Sequence, residues 1–322
     1  MRYGFGVDIG GTTVKIAWFE ESGKKLCSWE IPTVRENNGA QILPDIAAAL
    51  QNFLTEKGVD RSDVIGIGVG VPGPVDSKGV VKVCVNLGWG EKNVCAELSQ
   101  LTGLPVKAGN DANVAAMGEY WQGSGREFGS MIMATLGTGV GGGIVVDGNL
   151  LHGSHGCGGE IGHMVLNRDE TERCGCGNRG CVEQYCSATG LVRLANRRLA
   201  EDAAPSVLRQ LEKMEAKDVF DAGKQGDAVA NEILERYYNC LGEFLANLCV
   251  VVDPEVIVLG GGVPHQPQLL PLVRAAVTRQ LAGYVSTKDV KDMENYIVAP
   301  ELNDNQALLG CYELVRDPSV QG

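Results

Sequence analysis

The sequence predicts an α/β protein whose ligands sit at strand ends. Three observations carry that expectation. Apolar runs of strand character alternate with stretches of helical periodicity. A strand, a small-residue turn and a second strand follow one another twice, over residues 3–19 and again over residues 130–148 (SMIMATLGTGVGGGIVVDG). Glycine fills 44 of 322 positions, roughly twice its usual share of about 7%. There is no collagen-like period, so the excess serves tight turns and close backbone approach.

Taken in order, residues 3–9 read as a strand, Gly-Gly-Thr-Thr as a turn, 14–19 as the hairpin partner and 26–31 as a third strand. Over 40–57, Ile42, Ile46, Ala49, Leu50, Phe53 and Leu54 recur at helical spacing. Residues 64–71 alternate valine or isoleucine with glycine, which predicts that something packs closely on that strand's backbone. Residues 112–121 read as a helix capped by Asn110 or Asp111. Residues 187–252 are mainly helical, and EVIVLGGGV is a strand running into a glycine turn. Pro264 then suits the first turn of another helix. A strand near 296–299 and a helix from Gln306 close the chain. The two strand–turn–strand units fit either two related halves or a likeness of pattern alone.

Length allows one large domain or two smaller lobes. The composition, 44% hydrophobic and 21% charged, is globular. With Lys+Arg 28 and Asp+Glu 40, the net charge of −12 argues against a bulk nucleic-acid binder, which needs a cationic face. No stretch reaches the ~18 apolar residues of a membrane helix, and the opening MRYGFGVDIGGTT lacks the apolar region of a signal peptide. A soluble, cytoplasmic chain is therefore expected. In that setting its 11 cysteines stay reduced. Cys27, Cys84, Cys95, Cys240, Cys249 and Cys311 read as small buried hydrophobes.

Chemistry concentrates in five places. In the first, glycines at the tip of Asp8-Ile9-Gly10-Gly11-Thr12-Thr13-Val14-Lys15 let N–H groups approach an anion, and Thr12 and Thr13 add hydroxyls. Asp8 suits Mg²⁺ and Lys15 would lie near phosphates; the plain alternative is a tight hairpin with a solvated lysine. The turn leads into a strand, so it is neither a P-loop nor a Rossmann fingerprint. The second, Gly137-Thr138-Gly139, repeats the argument. With Gly260-Gly261-Gly262 before an expected helix N-terminus, it suggests a nucleotide held from both sides.

The third is metal-like. Cys174, Cys176 and Cys181 give C-x-C-x4-C, with His163 eleven residues upstream. Three thiolates and an imidazole make a closed, structural zinc site. Buried or redox thiols are the alternative, Cys157 and Cys186 are rival ligands, and His152 and His155 lie outside the tight cluster. The fourth is acidic: Glu160 and Glu183 flank this knuckle, as hydrogen-bond acceptors for a polyhydroxyl ligand or as supports. The fifth is Gly109-Asn110-Asp111-Ala112-Asn113, a helix cap or a general base at a strand end.

Together these segments resemble the ROK family of bacterial sugar kinases and sugar-responsive repressors. The resemblance covers nearly the whole chain: DIGGTTVK, GVGVPGPV, NLGW at residues 86–89, GNDAN, LGTGVGGGIV, GEIGH, CGCGNRGCVE and LGGG. It is strongest to the family's ATP-dependent glucokinases. It implies a two-lobed actin-like sugar-kinase fold (ribonuclease H-like) with an interlobe cleft. The small lobe is placed at 1–113 plus 300–322 and the larger, with the zinc knuckle, at 114–299. Asp111 matches the family's catalytic base. Asn86, Asn110, Glu160, His163 and Glu183 match its sugar contacts. His163, Cys174, Cys176 and Cys181 match its zinc ligands, and the three glycine turns match its ATP-binding segments. The resemblance implies phosphorylation of a hexose C6 hydroxyl by ATP with Mg²⁺. Glucose would give glucose 6-phosphate for glycolysis, in a homo-oligomer, dimer or tetramer. N-acetylmannosamine, fructose, mannose or allose as acceptor, and polyphosphate as donor, stay open. A repressor would carry a preceding helix-turn-helix, for which the turn starting at Asp8 leaves no room. One departure stands near the end, where the family often reads Gly-Asn-Asp-Ala-Gly and this chain reads Asn303-Asp304-Asn305-Gln306-Ala307.

Overall fold

The computed structural model describes residues 2–283 and 292–317. By internal contacts the chain forms two compact units. One comprises Met1–Ser130, Gly143–Gly159 and Glu301–Gly322, the other Met131–Gly142 and Glu160–Pro300. The helix Asp111–Gln122 thus groups with the first unit, past the border at 113 read from the sequence. Residues 1, 284–291 and 318–322 of the expected ranges, and the side chain of Asp304, lie outside the described residues.

The first unit holds a five-stranded sheet of order β3-β2-β1-β4-β7. Its strands are β1 (Tyr3–Ile9), β2 (Thr13–Glu20), β3 (Lys25–Pro32), β4 (Val64–Val71) and β7 (Val106–Asn110). Two short strands, β5 (Val80–Val81) and β6 (Lys92–Asn93), pair apart from it. β2 runs antiparallel to both β1 and β3, whereas β1, β4 and β7 are mutually parallel. Side chains alternate between the faces of a strand. Phe5, Val7, Ile67, Val69 and Val71 therefore enter one core with Ile42, Ile46, Leu50 and Leu54 of the helix Ile42–Lys57.

The opposite face of β1 and β4 is largely glycine, and the helix Gln306–Arg316 lies on it. A Cβ on Gly68 would sit 1.6 Å from the Cys311 carbonyl oxygen, so only glycine admits this approach. The same helix meets Asp111–Gln122 through Gly310, whose Cβ would lie 1.6 Å from the Val114 oxygen. This is the packing that the alternating glycines of residues 64–71 foretold.

The second five-stranded sheet has order β10-β9-β8-β11-β12. It contains β8 (Met131–Leu136), β9 (Val140–Val146), β10 (Asn149–Leu150), β11 (Val256–Gly260) and β12 (Ile297–Val298). Here too a hairpin and a third, antiparallel strand lie on one side, with two parallel strands on the other. Both sheets therefore share one topology, as two related halves would. In the same part of the chain, the helix Ala228–Val252 packs against both Ala188–Glu201 and Leu269–Leu281. No helix among the described residues is long and apolar enough to cross a membrane.

Two local expectations need correction. Only a 3-10 turn, Val263–His265, follows the third glycine turn, and the helix proper starts at Leu269. Pro264 does sit in the first turn of that short element, but so short a turn brings little helix dipole to the glycines. The last strand is shorter than 296–299, because the helical turn Met293–Tyr296 precedes it and takes its first residue.

Candidate active site

In the first unit, the polar candidates gather at the C-terminal ends of the parallel strands. Asp8 pairs in register with Gly70, and Gly70 with Gly109. Asp8 leaves β1 on its glycine face, half-buried, directly across from Lys15 in β2. Burial pushes its carboxyl up from the ordinary value, and the charge of Lys15 works against that rise.

Asp111 is the first residue of its helix and Asn110 is the cap. Asn110 Oδ1 accepts from the N–H groups of Ala112 (2.9 Å) and Asn113 (3.1 Å). Its Nδ2 donates to the Gly73 oxygen at 3.1 Å. Asp111 Oδ1 accepts from Ala112 N at 2.8 Å, half-buried at the strand end. Asn86 is exposed in the 3-10 turn Val85–Leu87. Its carbonyl oxygen lies 3.9 Å from where a Cβ of Gly11 would be, so these two loops adjoin.

The turn from Gly10 to Thr13 closes with Gly10 N donating to Thr13 O at 3.0 Å. Thr33, just beyond β3, donates its hydroxyl to Gly10 O (2.7 Å) and its N–H to Thr12 O (2.9 Å). Thr12 is exposed, and Gly10, Gly11, Thr13 and Lys15 are half-buried.

In the second unit, two glycine turns meet at the ends of β8 and β11. Gly261 has φ of +89°, and a Cβ there would sit 2.5 Å from the Leu136 oxygen, so glycine is required on both counts. Gly260 is buried at the end of β11, while Gly262 and Thr138 are exposed. Gly137 N donates to Gly139 O at 3.0 Å. Ala188 N donates to Gly137 O (2.8 Å) and the Thr189 hydroxyl to Thr138 O (2.6 Å). Glu183 Oε2 accepts from Val140 N at 3.1 Å and lies against Gly139, where a Cβ would come within 2.3 Å of it.

The ligand atoms of His163, Cys174, Cys176 and Cys181 all lie within 4.8 Å of one another. Cys176 Sγ is 3.6 Å from Cys181 Sγ, and Cys174 Sγ is 4.0 Å from His163 Nδ1. A tetrahedral ion with bonds of about 2.3 Å to sulfur spaces its sulfurs roughly 3.8 Å apart, so the donor set fits one. Burial, reinforced by the neighbouring thiols, pushes the Cys181 thiol up to about 12. A divalent cation is what favours thiolates there. His163 turns Nδ1 to the cysteines and Nε2 to Glu160, whose Oε2 is 3.8 Å away. Glu183 Oε1 lies 3.6 Å from Cys174 Sγ. Of the rival ligands, Cys157 is exposed and Cys186 buried, and neither joins the group, nor do His152 and His155.

Sequence reasoning missed the support beneath the knuckle. Glu170, with 1% of its side chain exposed, accepts from Arg193, from both terminal nitrogens of Arg197 (2.9 and 2.7 Å) and from the Tyr185 hydroxyl at 2.5 Å. Burial alone would push this carboxyl up. The bonds from Arg197, Tyr185, the Glu172 N–H and Arg193 reverse that and hold it far below the usual carboxylate range. Arg193 also donates to the Gln184 carbonyl (2.8 Å), and Gln184 Oε1 accepts from Cys181 N (3.2 Å). The signal available in the sequence was Arg193 and Arg197, four apart on one helix face.

Two sheets of one topology, with glycine turns at their strand ends and a thiol–imidazole cluster beside one of them, define an α/β protein of the actin-like sugar-kinase class. The chain belongs to the ROK family, whose family model matches residues 4–318. It is 42% identical to a glucokinase of Halalkalibacterium halodurans over 266 residues, 81% of each chain. It is 33% identical to a glucokinase of Thermotoga maritima over 319 residues, 97% of this chain and 96% of that one. Among solved structures, a ROK family glucokinase from Streptomyces griseus in complex with glucose and AMPPNP superposes with a TM-score of 0.77. That match has 33% identity and covers 98% of this chain and 99% of the other.

Proposed function

We propose that this protein is an ATP-dependent hexokinase that phosphorylates glucose at its C6 hydroxyl. The reading is carried by full-length likeness to glucokinases in a chain that keeps a carboxylate, Asp111, at the C-terminal end of a parallel strand. Asp111 takes the proton of the C6 hydroxyl, the freed oxygen attacks the γ-phosphoryl of ATP in line, and ADP leaves. Asn110 keeps a second amide N–H, beyond the one given to Gly73, with which to meet a neighbouring hydroxyl. Glu160, His163 through Nε2, Glu183 and Asn86 provide further acceptors and donors for the sugar. Glu183 does so only with what its bond to Val140 leaves it.

The turns at Gly10–Thr13, Gly137–Gly139 and Gly260–Gly262 present backbone N–H groups to the phosphates. Mg²⁺, a hard cation that takes carboxylates, suits Asp8; when bound it neutralises phosphate charge. Zinc suits the cluster of His163, Cys174, Cys176 and Cys181. Its part is structural, fixing the ring of His163 and the segment between Cys174 and Glu183. By family resemblance the enzyme works in the cytoplasm as a dimer or tetramer and feeds glycolysis.

The test is a coupled assay of the purified protein with glucose, N-acetylmannosamine, fructose, mannose and allose, each against ATP and polyphosphate. Glucose with ATP should give the highest kcat/KM. No transfer to any hexose would end this reading, and a clear preference for another acceptor or donor would replace glucose or ATP in it.

A further inference from the structure

We infer that Thr33 and Thr189 are positioning residues for the nucleotide, doing the same task at corresponding turns of the two halves. The inference rests on the reading that the turns at Gly10–Thr13 and Gly137–Gly139 hold phosphates.

A carbonyl oxygen repels a phosphate, whereas a backbone N–H attracts it. In a trans peptide the two point in opposite directions, so whatever holds the carbonyl of one residue also aims the N–H of the next. At the first turn, Thr33 takes two carbonyls: its hydroxyl donates to Gly10 O at 2.7 Å and its N–H to Thr12 O at 2.9 Å. The N–H groups of Gly11 and Thr13 are thereby turned to the other side. At the second turn, Ala188 N donates to Gly137 O at 2.8 Å and the Thr189 hydroxyl to Thr138 O at 2.6 Å. The N–H groups of Thr138 and Gly139 are turned out in the same way. Each turn is thus tied back by one backbone N–H and one threonine hydroxyl.

The threonines arrive by different routes. Thr33 follows the strand β3, and Thr189 opens the helix Ala188–Glu201, whose cap Ser187 lies 3.0 Å from the Thr189 hydroxyl. The shared arrangement therefore does not come from shared local secondary structure. Ser187 also donates to the Glu183 carbonyl (2.7 Å), and Glu183 holds Val140 N, so the second turn is braced on both sides.

The test uses Thr33→Val and Thr189→Val, which keep shape and lose the hydroxyl, with Thr33→Ser and Thr189→Ser as rescues. Calorimetry measures binding of a nonhydrolysable ATP analogue, and steady-state assays measure KM for ATP and for glucose. Each valine variant should bind the analogue about three- to tenfold more weakly, the range expected for one hydrogen bond. KM for ATP should rise in parallel, KM for glucose should stay within about twofold, and the serine variants should recover. The inference is overturned if the valine variants bind like wild type. Failure of serine to rescue, or an equal rise in glucose KM, overturns it as well. Wild-type protein that fails to bind the analogue would instead remove the nucleotide reading beneath it.

Discussion

Replacing Glu170 with glutamine keeps the shape of the side chain and removes the charge that two guanidinium groups share. Breaking a buried ion pair by removing one partner costs about 3–5 kcal/mol, because the other charge is left without compensation. Here the carboxylate is 1% exposed, but Arg193 and Arg197 keep 19% and 31% of their side chains in solvent. Water takes up part of their charge once the partner is gone. The loss therefore falls near the lower end, about 3 kcal/mol. At roughly 2–4 °C per kcal/mol, the Tm should fall by about 6–12 °C. Urea and thermal denaturation followed by circular dichroism read this directly. Glu172→Gln is the control, since Glu172 touches the same arginines from the surface and its loss should change little. The effect also has a pH signature. The folded protein holds the Glu170 carboxyl well below its unfolded value of about 4.3, so its stabilisation is complete above that pH and drains away below it. Glu170→Gln should thus differ from wild type most at neutral pH, with the two converging in acid. A variant within 0.5 kcal/mol of wild type at neutral pH, a bound of about the size of an ordinary surface substitution, would refute the reasoning.

Asp111→Asn should lower kcat by about 10²–10⁴, the usual contribution of a general base, while glucose affinity changes only a few-fold. Near-normal turnover would take the base role away from Asp111. Cys176→Ser should abolish stoichiometric zinc, read by elemental analysis of purified protein, and raise KM for glucose as His163 and Glu160 lose their frame. A wild type that is active and free of zinc would contradict this. Gly310→Ala should cost about 3 kcal/mol in urea denaturation, at the upper end for overpacking, since its Cβ would meet backbone and not a movable side chain.

The sequence carried most strongly where partners lie close along the chain. Cys174, Cys176 and Cys181 sit on one short loop, and their spacing, with His163 upstream, already marked the four residues whose ligand atoms the structure brings together. The alternating glycines of β4 announced a backbone in close contact, yet they could not say that it belongs to the helix Gln306–Arg316, more than two hundred residues away. The two hairpins were legible as a repeated pattern, but that the likeness extends to the whole strand order of both sheets could be read only from the structure. Thr33 and Thr189 were invisible because an isolated threonine has no pattern. Their partners, Gly10 and Thr138, stand 23 and 51 residues away. Asn110 was legible as a cap because capping is a local act.

The helix on the glycine face of β1 and β4 has a consequence for biogenesis. A ribosome makes residues 3–9 and 64–71 early and residues 306–316 only after all of 160–300 has been made. The first unit can therefore assemble one side of its sheet during synthesis, but the other side waits, its bare main chain uncovered, until the last helix arrives. A nascent chain halted before residue 301 should hold that unit in a protease-sensitive form that a chaperone can recognise.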